Sequence, residues 1–277
     1  MKLITDLNAM RSLSRLWGPD SSVGFVPTMG YLHAGHLSLV EQSNQRCAIT
    51  VVSIFVNPAQ FGPSEDLDSY PRDLERDLAM LERYRVDYVF FPTPELMYPP
   101  AYKTWIEVEG ISSVLCGASR PGHFRGVATV VAKLVNIVNP DFMFMGEKDY
   151  QQCLVLESML RDLNFRTRIV RCPIIREKDG LAMSSRNKYL DRYERRNALC
   201  LYKSLQLAKD LYSKGDTDPE LLQVAMTNLI LKAGGKIDYI AFVHKDTLAP
   251  QTVVSKETRI LLAVFIGKTR LIDNSSL

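Results

Sequence analysis

The chain has 277 residues, enough for one large domain or two unequal ones, and enough to bury a core without a disulfide or metal staple. With 46% hydrophobic and 23% charged residues, its composition excludes intrinsic disorder. The formal charge of +3 excludes a role resting on a strongly basic surface, such as non-specific nucleic-acid or membrane binding.

In chain order, VGFVP (23–27) reads as a buried strand and HLSLVEQSNQ (36–45) as a helix. AITVVSIFV (48–56) is a second strand, rich in the β-branched residues that suit a pleated surface. YPRDLERDLAMLERY (70–84) is amphipathic, with Leu74, Leu78 and Leu81 on one face, and DYVFFP (87–92) is a third strand. FRGVATVVAKLVNIV (124–138) is rich in valine but longer than a typical strand, so it reads as a helix. DFMFMG (141–146) is a fourth strand, DYQQCLVLESMLRDL (149–163) a helix, and RTRIVRCPII (166–175) a further strand. The texture then changes. A KDG turn (178–180) and helical patterns over 192–212 and 218–232 precede two strands, IDYIAFV (237–243) and ILLAVFIG (260–267). This pattern predicts an α/β fold: a doubly wound parallel sheet over residues 1–175, followed by a smaller α+β domain over 176–277. Ligands in such sheets bind beyond the carboxyl ends of the strands, which directs attention to the segments after residues 27, 56, 145 and 175. The later domain carries 17 Lys/Arg against 12 Asp/Glu, a surplus that reads as solvated surface or as help in holding an anion.

Cys47, Cys116, Cys153, Cys172 and Cys200 are odd in number and form no CxxC pair, which argues against a disulfide framework or a structural zinc and suits a reducing cytoplasm. The opening MKLITDLNAM has no apolar run of the kind a secretory signal needs, and no stretch approaches the roughly 20 apolar residues of a membrane span.

Chemistry concentrates in five segments. The first is Pro27-Thr28-Met29-Gly30-Tyr31-Leu32-His33-Ala34-Gly35-His36, at a strand-to-helix junction. Exposed N–H groups at the helix start suit an anion, and His33 and His36, three residues apart, share a helical face. Two imidazoles beside a phosphate can donate to its oxygens as negative charge builds. Structural histidines and a metal pair are the competing readings, but no carboxylate or thiol nearby completes a metal shell. The second segment, Gly146-Glu147-Lys148-Asp149-Tyr150-Gln151-Gln152, offers a cationic lysine and a carboxylate for ribose hydroxyls, or simply a capped helix start. The third, Met183-Ser184-Ser185-Arg186-Asn187, brings two hydroxyls and a guanidinium that can clamp phosphate, or is a polar loop. In the fourth, Phe55-Val56-Asn57-Pro58-Ala59-Gln60-Phe61, the Asn57 and Gln60 amides can hold a small polar substrate, or form a turn on Asn-Pro. In the fifth, Arg120-Pro121-Gly122-His123-Phe124-Arg125-Gly126, the Arg and His face a pocket or only shape a helix N-terminus. The chain has neither GxxxxGK[ST] nor GxGxxG, which argues against a P-loop enzyme and a dinucleotide dehydrogenase.

In this order, PTMGxLHxGH, FVNPxQF, RPGHFRGV, GEKDxQQ and MSSRN resemble the pantothenate synthetases, the pantoate–β-alanine ligase family within the HxGH nucleotidylyl-transferase superfamily. The resemblance runs from residue 23 to GKTRLIDN at 267–274. It implies a Rossmann-like amino-terminal domain binding ATP and pantoate, a smaller carboxy-terminal domain that covers the site, a cytoplasmic homodimer, and Mg²⁺-dependent use of ATP. The substrates it implies are (R)-pantoate, β-alanine and ATP, joined through a pantoyl adenylate to give pantothenate, AMP and diphosphate. By resemblance, Met29, Gly30, Tyr31, Leu32, His33, Ala34, Gly35 and His36 line ATP. His36 takes the proton-donor position, with His33 and Lys148 as its catalytic companions. Gly146, Glu147, Lys148, Asp149, Ile175, Met183, Ser184, Ser185 and Arg186 complete the nucleotide contacts, with Ile175 at a strand end offering backbone to adenine. Gln60 and Gln152 hold pantoate, Gln60 also reaches β-alanine, and Asn57 and Tyr70 lie nearby. No resident metal ligands are implied.

The polar run 62–71 is a candidate flap, since a mixed anhydride must be kept from water. His244-Lys245 departs from the family, where an acidic residue is usual. Two other readings remain: a nucleotidyl transferase of the same superfamily acting on another small acid, and a non-catalytic ATP- or RNA-binding module. The intact motifs and the modest charge weigh against the module.

Overall fold

The structure, a computed structural model, describes residues 1–18, 21–63 and 65–277. Two compact units emerge: Met1–Glu147 with Gln151–Pro173, and Lys148–Tyr150 with Ile174–Leu277.

In the first unit the chain runs β1 (Lys2–Ile4), α1 (Leu7–Ser14), β2 (Val23–Thr28), α2 (Ala34–Arg46), β3 (Ile49–Ile54), α3 (Leu74–Leu81) and β4 (Tyr88–Phe90). Two single-turn helices follow, α4 (Pro94–Met97) and α5 (Cys116–Ser119), then α6 (His123–Val138), β5 (Phe142–Gly146), α7 (Tyr150–Asp162) and β6 (Arg168–Cys172). The six strands form one sheet in the order β1-β4-β3-β2-β5-β6, every pairing parallel. Successive strand residues point to opposite faces, and both faces are apolar. Phe25, Val51, Met143 and Met145 pack in one cluster with Met10 of α1, Val131 of α6 and Leu156 of α7. Val26, Val52, Val89 and Phe144 pack in another with Leu39 and Val40 of α2 and Leu81 of α3. Helices on both faces make the sheet doubly wound, as expected.

Several element ends differ from the sequence reading, each for a local reason. The helix expected from residue 70 begins at Leu74, because the Asp73 carboxylate accepts the Arg76 N–H and caps it there. The strand expected to reach 175 stops at Cys172, before Pro173, which has no N–H for a ladder. Valine-rich α6 is helical because nearly every side is buried, so packing overrides intrinsic propensity. The short edge strand β1 pairs with β4 and adds a sixth strand that three residues of sequence did not signal.

The second unit contains α8 (Arg192–Asn197), α9 (Leu199–Ser213), α10 (Pro219–Lys232), β7 (Lys236–His244), β8 (Thr258–Ile266) and β9 (Thr269–Ser276). The single helix expected over 192–212 is interrupted at Ala198. The strands form an antiparallel sheet, β7-β8-β9. Leu201, Leu205, Met226 and Ile230 of the helices pack against Ile260, Leu262 and Val264 of the sheet. Strand β9, TRLIDNSS, was missed because its outer half is polar. There Asp273, 1% exposed as a side chain, receives a two-pronged bond from Arg176 at 2.6 and 2.9 Å.

Candidate active site

Strand order reverses between β2 and β5: from β2 the chain builds outward through β3 and β4, whereas β5 lies on the other side of β2 and is followed by β6. Ligands of doubly wound sheets bind at the carboxyl ends at such a switch. Residues 29–36 leave β2 there, and Glu147 leaves its neighbour β5.

The loop after β2 is held tightly. Gly30 has φ +84° and Tyr31 φ +50°, two successive residues in the left-handed region. Glycine suits this readily, whereas tyrosine is held there at a cost. Thr28 Oγ1 donates to the Ser53 carbonyl at 2.8 Å and accepts the Gly30 N–H at 3.1 Å. The Asp77 carboxylate accepts the Tyr31 and Leu32 N–H groups, both at 2.7 Å. Arg76 donates to the Leu32 carbonyl at 3.0 Å and lies 4.7 Å over the Tyr31 ring. Asp77 is 1% exposed. Burial pushes its carboxyl upward, against the pull of the two N–H groups and the Arg76 charge.

His33 is the N-cap of α2, not a residue of its first turn, and His36 is the third helical residue. His33 Nδ1 accepts the Gly35 N–H at 3.1 Å, and His36 Nδ1 accepts the His33 N–H at 3.3 Å. This reciprocal cap brings the rings to 4.0 Å between centroids, so the expected pairing arises through capping. It also revises the expected donor set. The Gly30, Tyr31, Leu32, His33, Gly35 and His36 N–H groups all have internal acceptors. A nitrogen that accepts carries no proton, so each neutral ring bears its proton on Nε2. The loop therefore offers imidazole donors where a row of bare amides was expected.

After β3, the turn Pro58–Gln60 carries the amides. Asn57 Oδ1 accepts the Ala59 N–H at 3.3 Å and the Tyr98 hydroxyl at 2.8 Å. Its Nδ2 donates to the Gly126 carbonyl at 3.2 Å and to Gln60 Oε1 at 3.1 Å. The backbone partners fix the orientation of Asn57, which in turn leaves Gln60 Nε2 directed at the Met29 sulfur. Close approach of α6 is essential here, since a Cβ on Gly126 would collide with the Ala59 carbonyl.

Arg120 and His123 support this turn. His123 Nδ1 donates to the Gln60 carbonyl at 2.9 Å, so Nε2 is the acceptor for Arg120 Nη1 at 3.0 Å. Arg120 also donates twice to Glu65, at 2.8 and 2.6 Å. Burial opposes ionisation of Glu65, but the Arg120 guanidinium, through its hydrogen bonds and charge, holds the carboxyl below the usual range. The candidate flap 62–71, of which Ser64 lies outside the described residues, is thus tied at Glu65 and again at Tyr70, which is buried edge-on to Phe61. Of the paired glutamines, Gln151 is spent on structure, bonding Cys116 N and the Ile111 and Val114 carbonyls. Gln152 is half-buried on α7.

Of the other expected residues, Gly146 and Glu147 close a segment of the first unit, and Lys148, Asp149, Ile175 and Met183–Arg186 belong to the second. Glu147–Asp149 form one 3-10 turn; Lys148 Nζ lies 3.9 Å from Asp149, and the Lys148 carbonyl accepts Asn274 Nδ2 at 2.9 Å. Ile175 is not at a strand end: it lies beyond β6, and its carbonyl accepts the Met183 N–H at 3.0 Å. Ser184 caps the 3-10 segment Ser185–Tyr189 by accepting the Arg186 N–H at 3.2 Å. At the end of β7, His244, Asp246 and Glu257 converge, but Lys245 sits 3.3 Å from Asp246 and 3.2 Å from Glu257 and offsets part of their charge.

Asp77, Arg76 and Tyr98 were not anticipated. The available signal for Asp77 was an acid on the apolar stripe of α3, between Leu74 and Leu81.

Fold and loop together define a doubly wound α/β protein with a paired-histidine loop at its switch point. The family model described as pantoate-beta-alanine ligase matches residues 2–276, and the chain belongs to that family. It is 54% identical over 276 residues to the pantothenate synthetase of Caldicellulosiruptor saccharolyticus, covering 99% of this chain and 98% of that one. With the Thermosipho africanus pantothenate synthetase it shares 52% over 275 residues, 99% of each. Among solved structures, pantothenate synthetase from Thermus thermophilus superposes with a TM-score of 0.95 at 44% identity, covering 100% of this chain and 99% of the other. Pantoate-beta-alanine ligase from Francisella tularensis, complexed with beta-gamma ATP and beta-alanine, gives 0.84 at 36% identity over 100% and 97%.

Proposed function

We propose that this chain condenses (R)-pantoate with β-alanine at the expense of ATP, giving pantothenate, AMP and diphosphate. The observation that carries this reading is the reciprocal histidine cap, which commits two Nε2–H donors at the switch point of a family-typical sheet. A pantoate carboxylate oxygen attacks the α-phosphorus. The bond to the bridging oxygen breaks, and diphosphate leaves with the electron pair. His36, with His33 and Lys148, donates to the phosphate oxygens as their charge grows. The β-alanine amine then attacks the acyl carbon; the C–N bond forms, the C–O bond breaks, AMP leaves, and the amine proton passes to solvent. Gln60 and Gln152 hold pantoate as amide donors to its hydroxyl and carboxylate oxygens. Gly146–Asp149, Ile175 and Met183–Arg186 contact the nucleotide.

Mg²⁺ fits as an ion brought in by the triphosphate. Mg²⁺ wants oxygen ligands, and the carboxylates the nucleotide motif offers are Glu147 and half-exposed Asp149. The ion would neutralise phosphate charge. The reading includes a homodimer and a cytoplasmic location; five buried cysteines, none of them in a disulfide, support a reducing compartment.

The test is formation of AMP and diphosphate from Mg·ATP and pantoate, with and without β-alanine. AMP that appears only with both substrates, in equal amount with pantothenate, establishes the ligase. Diphosphate without AMP release moves the assignment to nucleotidyl transfer on another small acid.

A further inference from the structure

Resting on the reading of residues 29–36 as the triphosphate loop, we infer that Asp77 is a positioning residue for adenylate formation. It sets the backbone from which both histidine donors project. A carboxylate 1% exposed, on a helix otherwise packed through leucines, is costly to keep unless its bonds are specific. Here both oxygens are spent on adjacent N–H groups of one loop, at 2.7 Å each. Those N–H groups belong to Tyr31, held at φ +50°, and to Leu32, the residue before the His33 cap. Left alone, a tyrosine abandons the left-handed region. Its neighbour Gly30 imposes no φ, and Thr28 ties only the Gly30 N–H. Asp77 thus ties both N–H groups of the turn immediately before the cap, with Arg76 bonded to it at 3.4 Å, and the directions of the two Nε2–H groups follow from the cap. It touches no reacting atom; Arg76, the adjacent residue, secures the same turn from the Leu32 carbonyl.

The test uses the full-length Asp77→Asn and Arg76→Gln variants. Asparagine keeps one acceptor but turns an NH₂ toward an N–H; Arg76 is 41% exposed as a side chain, so its replacement leaves the core intact. Pantoate-dependent exchange of labelled diphosphate into ATP reads the first half-reaction, and aminolysis of preformed pantoyl adenylate by β-alanine reads the second. Hydrogen exchange reads the Tyr31 and Leu32 amides. In D77N both amides should exchange faster and kcat/KM for ATP in the exchange reaction should fall about tenfold to a hundredfold, the scale of a small misplacement. R76Q should fall in the same direction by less, and aminolysis should stay within about twofold in both. Exchange activity within about threefold of wild type despite faster amide exchange overturns the proposal, as does an equal fall in both half-reactions, which marks general damage. If D77N does not fold, R76Q decides by the same criteria. Should wild type itself make no adenylate, the functional reading fails, while faster Tyr31 and Leu32 amide exchange would still report the tie to the loop.

Discussion

Replacing Glu65 with Gln separates the charge of the Arg120 partner from its shape. Arg120 donates to both Glu65 oxygens, and the two side chains are 14% and 22% exposed, so water screens the pair weakly. Glutamine retains one acceptor and presents an NH₂ to a guanidinium donor, so one charge-assisted bond is lost and the other becomes neutral. The expected cost is about 1.5–3 kcal/mol at pH 7, the scale of losing one charge-assisted hydrogen bond. With a urea slope near 3 kcal/mol per molar, that is a midpoint shift of roughly 0.5–1 M. The pH dependence has a definite sign. The folded carboxyl sits below its ordinary value, so its stabilisation is complete above the unfolded value of 4.5 and disappears as pH falls through the lower folded value. Urea midpoints of wild type and E65Q from pH 7 to pH 3 should therefore converge only below about pH 4.5. A gap that does not narrow as pH falls below about 4.5, or no gap at pH 7, refutes the assignment of Glu65 as an ionised partner of Arg120.

Other outcomes follow from single contacts. His36→Ala and Lys148→Ala should each slow pantothenate formation by about a hundredfold or more, the scale of losing one transition-state donor; near-wild-type rates in both would remove them from the site. Gly126→Ala pushes a methyl into the Ala59 carbonyl and should cost about 1–3 kcal/mol in urea unfolding while raising KM for pantoate through the displaced Gln60 turn. Arg176→Met leaves Asp273 buried without its partner and should destabilise the second unit by about 3–5 kcal/mol, measured by hydrogen exchange across β7–β9.

The parallel sheet was legible because runs such as FMFM, residues 142–145, are apolar on both faces, a pattern that a strand covered twice requires. Helices were legible from period and length, and the five motifs from their residue types at strand ends. Tertiary structure decided whatever depends on partners distant in sequence. Asp77 lies 46 residues from the Tyr31 amide it accepts, Tyr98 lies 41 from Asn57, and Asp273 lies 97 from Arg176. Strand β9, with the polar residues Asp273 and Asn274 buried along it, becomes a strand only through its ladder to β8. The donor face of the histidine loop also depended on the fold. Sequence spacing predicts bare amides at a helix start, but whether an amide is free depends on which acceptors the packed chain brings to it, and here a carboxylate from α3 and the imidazoles themselves arrive first.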